Sequence, residues 1–145
     1  MKIALAADHG GYALKETVKK HLEGRGYETL DLGTDSADVS VDYPTYGEAC
    51  GRAVVSGKAD LGIVVCGTGI GISIAANKVP GVRCGLATNT FMAEMTRRHN
   101  DSNVLALGGR VLTDPIALQI VDAWLDAEFE GGRHQKRVDM LAEIK

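Results

Sequence analysis

The residues best suited to chemistry lie between Cys66 and Gly71, where one cysteine is followed by glycine at every second position. The apolar run before them, Leu61 to Val65, predicts a buried strand that ends at the cysteine, and the residues after them predict a helix. A glycine-rich turn leaves amide N–H groups uncovered at the start of such a helix, where they attract anions. This arrangement indicates either a catalytic thiol beside an oxyanion site, or a generic anion-binding or structural turn around a buried cysteine.

Two polar clusters carry side chains that transfer protons near neutral pH. Asp8 and His9 follow the first apolar run, so they are candidates for a carboxylate and an imidazole in proton transfer, or for a helix N-cap with a polar neighbour. His99, Asn100 and Asp101 lie between a predicted helix and a predicted strand whose apolar patterns both avoid them. That cluster fits an acid with its orienting partners, or the polar cap of a helix C-terminus.

Three arginines are candidates for binding an anion. Arg133 and Arg137 are spaced i, i+4, so a helix beginning near Arg133 projects both guanidinium groups from one face. Two such groups beside a helix N-terminus can chelate a phosphate, although a solvated basic face has the same spacing. Arg110, which follows the fifth predicted strand, is the third candidate.

Other phosphate-binding and catalytic motifs are absent from the glycine-rich turn. Ile72 stands where a Cys-x5-Arg phosphatase loop has its arginine, and GTGIG departs from the dinucleotide-binding pattern GxGxxG. No GK[ST] follows a glycine loop, which excludes an ATP-type P-loop. No set of His, Cys and carboxylate residues has metal-ligand spacing, so the sequence predicts no metal site.

The composition excludes several classes of partner. The formal charge of −3 offers no field for nucleic acid or an anionic membrane, and no apolar run is long enough to span a bilayer. The N-terminal stretch is polar again by Asp8, which is typical of a strand and not of a signal peptide. Cys50, Cys66 and Cys84 are odd in number and lack CxxC spacing, so we expect reduced thiols in a cytoplasmic protein.

Short apolar strands alternate with amphipathic helices along the chain. The predicted strands are Lys2–Ala7, Tyr27–Leu32, Leu61–Cys66, Val82–Ala87 and Asn103–Leu107. Six helices are predicted. The first three run through Leu14–Leu22, from Pro44 to near Gly57, and through Ser73–Ala76. The fourth covers about Asn89–Arg98, the fifth follows an N-cap at Thr113, and the sixth begins near Arg133. The fifth of these helices is expected to bury Ile116, Ile120, Val121, Trp124 and Leu125. The segment from Gly33 to Pro44 is predicted to be a loop.

This alternation predicts one α/β domain over residues 1–145, with a five-stranded parallel sheet and a C-terminal helix. The expected architecture is a doubly wound, Rossmann-like or flavodoxin-like three-layer αβα fold. Such folds bind ligands beyond the carboxyl ends of their strands. The polar residues predicted to lie there are Asp8, His9, the turn from Cys66 to Gly71, Thr88 and Asn89.

Six separated segments, in order, resemble the type B ribose-5-phosphate isomerase family, which includes the galactose-6-phosphate isomerase subunits. They are DHGG from Asp8, DYP from Asp42, CGTGIGISIAANK from Cys66, HND from His99, NVLALGGR ending at Arg110, and EGGRHQKRV from Glu130. The resemblance covers essentially the whole chain. One branch of the family lacks this cysteine and has Glu where Ile72 stands here, so this chain resembles the cysteine branch.

The resemblance implies a role for each matched residue. Cys66 is expected to move the proton between C2 and C1 of the open-chain sugar, supported by Thr68, while His99 opens the furanose ring and Asp8 assists proton movement between the oxygens. The residues expected to contact the sugar or its enediolate are His9, Tyr43, Gly67, Gly69, Ile70, Gly71 and Asn100. The residues expected to surround the phosphate are Arg110, Arg133 and Arg137.

The function implied by the resemblance is interconversion of D-ribose 5-phosphate and D-ribulose 5-phosphate without a metal or redox cofactor. Alternatives in the same class are isomerisation of allose 6-phosphate, galactose 6-phosphate or a free rare sugar, and the length of the sugar is expected to depend on the loop from Gly33 to Pro44. An alternative in another class is a non-catalytic module that binds a phosphosugar or nucleotide. Members of this family form homodimers or dimers of dimers with shared sites, so we expect a homodimer or homotetramer.

Overall fold

The computed structural model describes all 145 residues and contains one five-stranded parallel sheet between two layers of helices. The strands are β1 (Lys2–Ala7), β2 (Glu28–Asp31), β3 (Leu61–Cys66), β4 (Cys84–Leu86) and β5 (Val104–Gly108). The helices are α1 (Tyr12–Gly24), α2 (Tyr43–Val55), α3 (Ile70–Asn77), α4 (Thr90–Asn100), α5 (Asp114–Asp126) and α6 (Arg133–Glu143). The predicted three-layer fold with a C-terminal helix is therefore confirmed.

The strand order β2-β1-β3-β5-β4 determines where a ligand can bind. β1 pairs with β2 on one side and with β3 on the other, so the direction in which the sheet grows reverses between β1 and β3. Ligand sites of doubly wound sheets open beside such a reversal, beyond the carboxyl ends of the strands. We call that side of the sheet the carboxyl edge, and the opposite side, where the strands begin, the amino edge.

Each face of the sheet is covered by its own apolar layer, because successive strand side chains point to opposite faces. Ile3 and Leu5 of β1 pack in the layer formed with α1, α4 and α5, whereas Ala4 and Ala6 pack in the layer formed with α2 and α3. On α5 the buried stripe consists of Ala117, Ile120, Val121 and Trp124. Ile116, which we expected to be buried, lies at the border of this stripe and is exposed. None of the helices has the length and apolar character needed to cross a membrane.

The end of α4 differs from the prediction in a way that matters for the site. The helix continues through His99 and Asn100, which were expected to lie between a helix and a strand. Asp101 then ends the helix in a left-handed conformation with φ of 48°, and its backbone N–H donates to the carbonyl oxygen of Arg97. Because no glycine or proline interrupts this polar last turn, nothing in the local sequence stops the helix at Arg98.

Two predicted helix starts were also tested by the structure. Asn89, which we had placed among the ligand-facing polar residues, is the N-cap of α4, since its Oδ1 accepts a hydrogen bond of 2.8 Å from the N–H of Met92. Thr113 lies at the predicted N-cap position of α5, but its side chain makes no capping hydrogen bond. The long loop between β2 and α2 contains no regular structure, as predicted.

Candidate active site

Cys66 lies at the carboxyl edge as the last residue of β3, opposite Gly108 at the end of β5. Its side chain is nearly buried, and its Sγ accepts a hydrogen bond of 3.1 Å from the backbone N–H of Gly69. This bond holds the Cys66 side chain at the start of the glycine-rich turn. Thr68 holds the same turn through its Oγ1, which accepts from the N–H of Ile70 at 3.2 Å.

The glycines of this turn are required by space as well as by backbone conformation. Gly69 has φ of +82°, and a Cβ placed on it would lie 2.7 Å from Leu86 Cδ1 and 2.8 Å from the backbone carbon of Leu107. A Cβ on Gly71 would lie 2.7 Å from Cε1 of Tyr43, so the tyrosine ring packs directly on that glycine. Tyr43 is therefore held against the turn that begins α3, as expected for a residue that contacts a ligand there.

Asp8 and His9 lie beside the turn, just beyond the end of β1. The N–H of Asp8 donates to the carbonyl oxygen of Val65 at 3.2 Å, which ties this segment to the end of β3. Oδ1 of Asp8 accepts from the N–H of Gly11 at 3.0 Å, while Oδ2 makes no hydrogen bond within the chain. Asp8 is therefore not the N-cap of α1, which is Gly11, although its Oδ1 holds the turn before that helix. The role of Asp8 in proton transfer stays a prediction.

The hydrogen bond at His9 assigns its tautomer. Nδ1 of His9 accepts from the backbone N–H of Val41 at 3.1 Å. A neutral imidazole that accepts at Nδ1 carries its proton on Nε2, so His9 presents a donor to any ligand in the site. The same bond ties the loop between β2 and α2 to the carboxyl edge.

Arg110 supplies positive charge at this edge. Its backbone N–H donates to the carbonyl oxygen of Gly67 at 2.9 Å. Its guanidinium lies across Gly10 and Gly67, where added Cβ atoms would come within 3.3 Å and 3.2 Å of it. Arg110 forms no ion pair with an acidic side chain of this chain, so its charge is available to an anionic ligand.

The other two cysteines lack the environment of Cys66. Burial raises the pKa of the Cys50 thiol to about 12, and burial, with a smaller contribution from Cys50, raises the pKa of Cys84 as well. All three cysteines are free thiols. Among them only Cys66 lies at the end of a strand with a backbone amide directed at its sulfur.

The remaining predicted site residues do not lie at the carboxyl edge. α4 starts beyond the carboxyl end of β4 and returns to the start of β5, so its last residues, His99 and Asn100, lie toward the amino edge. A helix of 11 residues is about 16 Å long. His99 therefore does not reach a sugar held at Cys66 of the same chain. The family resemblance implied sites shared between subunits, and the roles of His99 and Asn100 in such a site stay predictions.

Arg133 and Arg137 lie near His99 and not near Arg110. They start α6, which packs on α4, and both side chains are exposed without an acidic partner. The ring of His134 stacks on His99 with centroids 4.1 Å apart and an interplanar angle of 11°. Oε1 of Glu130 lies 3.8 Å from Nε2 of His99 and 3.4 Å from Nε2 of His134.

The group formed by His99, Glu130 and His134 was missed as a cluster by the sequence analysis. Each residue offers one atom able to bind a metal, and these atoms lie within 4.8 Å of one another. No local spacing signals the group, because His99 comes from α4, Glu130 from the segment before α6 and His134 from α6 itself. EGGRHQKRV contributed to the family resemblance, but only its arginines were given roles.

The sequence from residue 3 to residue 141 matches the model of the family described as Ribose/Galactose Isomerase. The chain belongs to this ribose/galactose isomerase family. Ribose-5-phosphate isomerase B of Escherichia coli K12 is 49% identical over 144 residues, 99% of this chain and 96% of that protein. The solved structure of ribose-5-phosphate isomerase B from Clostridium thermocellum is similar at a TM-score of 0.97 and 57% identity, covering 99% of this chain and 96% of that one.

A third member of the ribose/galactose isomerase family was solved with a ligand. Ribose-5-phosphate isomerase B of Mycoplasma genitalium, with bound ribulose-5-phosphate, is similar at a TM-score of 0.93 and 41% identity, covering 97% of this chain and 93% of that one. The predicted family and the predicted class of enzyme, an aldose–ketose isomerase, are confirmed. The role of each residue in this chain remains a proposal.

Proposed function

We propose that this isomerase interconverts D-ribose 5-phosphate and D-ribulose 5-phosphate, with Cys66 as the base. The observation that carries the proposal is the bond from the Gly69 N–H to the Cys66 sulfur, at an edge that also carries Asp8, His9 and Arg110. The relatives named ribose-5-phosphate isomerase B support the five-carbon substrate over a six-carbon one.

The isomerisation step needs a base for carbon and stabilisation of the oxygens. The Cys66 thiolate removes the proton from C2 of the open-chain aldose, and the electron pair forms the C1–C2 double bond of an enediolate. The amides of the turn from Gly67 to Gly71 hold the developing negative charge. Asp8 moves a proton between the two oxygens, and the thiol returns its proton to C1 to give the ketose.

Ring opening must come first, because the aldose is supplied mainly as a furanose. We assign this step to His99 as the acid that protonates the ring oxygen while the bond from that oxygen to C1 breaks and the C1 hydroxyl gives its proton to the Asp8 carboxylate, which has a free oxygen. His99 of the same chain lies too far from Cys66 for this role. The site is therefore completed by His99 of a second copy, within a homodimer or within a homotetramer that consists of two dimers.

The same second copy brings the remaining arginines to the sugar phosphate. Arg133 and Arg137 are exposed, unpaired and next to His99, so a surface that presents His99 also presents both guanidinium groups. Together with Arg110 from the first chain they would surround a dianionic phosphate with planar donors. Asn100, exposed at the end of α4, is placed to contact a sugar hydroxyl in that arrangement.

The test is kcat/KM of the purified protein, without added metal, on ribose 5-phosphate, allose 6-phosphate and galactose 6-phosphate. The proposal predicts a clear preference for ribose 5-phosphate. A preference for a six-carbon phosphate would keep the mechanism but overturn the substrate assignment. Lack of turnover on all three would overturn both.

A further inference from the structure

One cluster at the amino edge contains two ionisable residues to which the proposed mechanism gives no role. Glu130 and His134 surround His99, and we call these three residues the imidazole cluster. The segment before α6 brings them together, because Gly131 and Gly132 adopt φ of +66° and +55°, conformations that side-chain-bearing residues rarely take. This turn lets Glu130 and His134 approach the same side of α4.

Glu130 is fixed at both its backbone and its side chain. Its N–H donates to the carbonyl oxygen of Arg98 at 3.0 Å, and its Oε2 lies 2.6 Å from Nη2 of Arg98. Arg98 is itself held by Glu94, one helical turn earlier, at 2.9 Å. Desolvation alone would raise the pKa of Glu130, but the charge and hydrogen bond of Arg98, together with the two histidines, outweigh it and lower the pKa. The carboxylate is thus anionic, and its Oε1 faces Nε2 of both imidazoles, at 3.4 Å from His134 and 3.8 Å from His99.

His134 is an unusual histidine because its ring is buried without a hydrogen bond, although Oε1 of Glu130 lies 3.4 Å from its Nε2. Its side chain is only 6% exposed, and its Nε2 makes no hydrogen bond. Burial lowers the pKa of His134, and the nearby His99 and Arg133 lower it further. The ring is therefore uncharged, and it offers His99 a flat face at stacking distance.

Metal binding is the first alternative for such a cluster. The three candidate ligand atoms are close together, but the two imidazole planes differ by only 11°. Ring nitrogens bind metals along lone pairs that lie in the ring plane. In nearly parallel, stacked rings these lone pairs do not converge on one point, so the observed geometry orients one ring against the other and does not hold an ion between them.

We propose that Glu130 and His134 are positioning residues for His99 in ring opening. The His134 face sets the plane of the His99 ring, and the Glu130 carboxylate, fixed by Arg98, orients that ring from the side of its Nε2. This proposal rests on the ring-opening role of His99 proposed above. It predicts that the two residues act on ring opening and not on the exchange of the proton between C2 and C1.

The two substrates allow ring opening to be measured separately. Ribose 5-phosphate closes through O4 onto C1 and must be opened before it reacts. Ribulose 5-phosphate has its carbonyl at C2 and its O5 blocked by phosphate, so it cannot form a furanose and enters the reaction as an open chain. The equilibrium constant fixes the ratio of the two kcat/KM values, so a defect in ring opening lowers isomerisation by the same factor in both directions. It spares the exchange of the C1 proton of ribulose 5-phosphate with solvent, which needs only the base and the enediolate.

The experiment measures two rates for Glu130→Gln, His134→Ala and His134→Phe, with Gln135→Ala as a control on the exposed face of α6. The rates are kcat/KM for isomerisation of ribose 5-phosphate, and exchange of the C1 proton of ribulose 5-phosphate in D₂O. We expect Glu130→Gln and His134→Ala to lower kcat/KM for isomerisation at least about tenfold and the exchange rate less than about threefold. His134→Phe keeps a flat stacking face without a charge, so it should restore most of the isomerisation. Gln135→Ala should match the parent protein in both measurements.

Equal losses of isomerisation and proton exchange for Glu130→Gln and His134→Ala, or no loss of either, would overturn the positioning role. Thermal unfolding of each variant shows whether an equal loss comes from misfolding, and His134→Phe then decides, because it fills the space of the parent ring. His99→Asn separates this proposal from the previous one. If His99→Asn loses isomerisation and exchange equally, ring opening by His99 is wrong, whereas selective loss of isomerisation in His99→Asn alone removes only Glu130 and His134 from the step.

Discussion

The two polar regions of this chain are built in opposite ways. The carboxyl-edge region around Cys66 is formed mostly by backbone, since strand ends and glycine amides provide its donors and its shape. The amino-edge region around His99 is formed by long side chains from α4 and α6, two of which, Arg133 and Arg137, are exposed and unpaired. In the first region the hydrogen-bond donors are fixed by the backbone, while the second carries unpaired positive charge on exposed side chains.

This difference fits the proposed shared site, in which each chain would carry every residue type that the reaction needs but would supply only part of each site. Backbone donors cannot move far, so they suit the step in which charge develops on a substrate already held in place. Exposed arginines and a stacked imidazole gain their partners only when another surface covers them. In an assembly of two copies, the fixed backbone donors of one chain and the exposed side chains of the other would together form one site.

The largest effect is expected from removing the base. Cys66→Ala should lower kcat by at least about 10³-fold in both directions, with sugar-phosphate binding largely retained, because the amides and arginines remain. The measurement is turnover together with calorimetric binding of the sugar phosphate. Cys50→Ala, which removes a thiol of raised pKa from the core, is the matched control and should keep near-parental kcat. Near-normal kcat in Cys66→Ala would overturn the assignment of the base.

Mixing two inactive variants tests whether the regions belong to different chains. A heterodimer of Cys66→Ala and His99→Asn has one site with both parent residues and one site with neither. If subunits exchange freely, half the dimers are mixed, so the mixture should regain about a quarter of parental activity on ribose 5-phosphate. Each variant mixed with itself is the control. Failure to regain activity after subunit exchange, verified by mass spectrometry, would place both regions of the site in one chain.

A smaller effect is expected from the phosphate-binding side of the comparison. Arg137→Ala should raise KM for ribose 5-phosphate about tenfold or more with little change in kcat, since it removes a charge-assisted contact to a remote group. Arg52→Ala, at an exposed position on α2 paired only with Glu48, is the control and should leave KM unchanged. A lower kcat with unchanged KM would mean that Arg137 acts on the reacting carbons instead.

The smallest effect on turnover is expected at a charge pair outside both regions. Lys15 is 1% exposed and lies 2.7 Å from Asp31, which also pairs with Lys19 at 3.1 Å. Although desolvation raises the pKa of Asp31, these lysines and the Gly33 N–H lower it on balance. A lowered carboxyl pKa stabilises the fold above the unfolded-state value of about 4, and this contribution is lost as the pH falls through the folded-state pKa.

Asp31→Asn should therefore lower the free energy of unfolding by about 2 kcal/mol at pH 7 while leaving kcat unchanged. Urea unfolding at pH 7 and pH 3 measures this, and the difference between variant and parent should shrink at the lower pH. Lys2→Ala, at an exposed and distant pair with Glu28, is the control. An equal difference at both pH values would show that the Asp31 charge does not stabilise the fold.

Most of the carboxyl edge could be predicted from local signals. Cys66, its glycine-rich turn and Arg110 follow predicted strands, and parallel strands end at the same edge, so their proximity needed no knowledge of strand order. His9 was predicted to contact the sugar, but its bond to Val41 was not, because a long loop without apolar periodicity gives no indication of where it folds. Ile116 shows a related limit. Helical periodicity predicted that it is buried, but periodicity does not determine where the buried stripe of a helix ends, and Ile116 is exposed at its border.

The sequence by itself determined the alternation of strands and helices, the position of the glycine-rich turn after Cys66, and the family. These features depend on neighbouring residues, through side-chain periodicity, glycine conformations and motif order. Only the tertiary structure decided that β5 lies between β3 and β4, that α4 carries His99 to the amino edge, and that His134 and Glu130 meet His99 there. Those contacts join residues distant in the chain, and they form only when whole helices pack on the completed sheet.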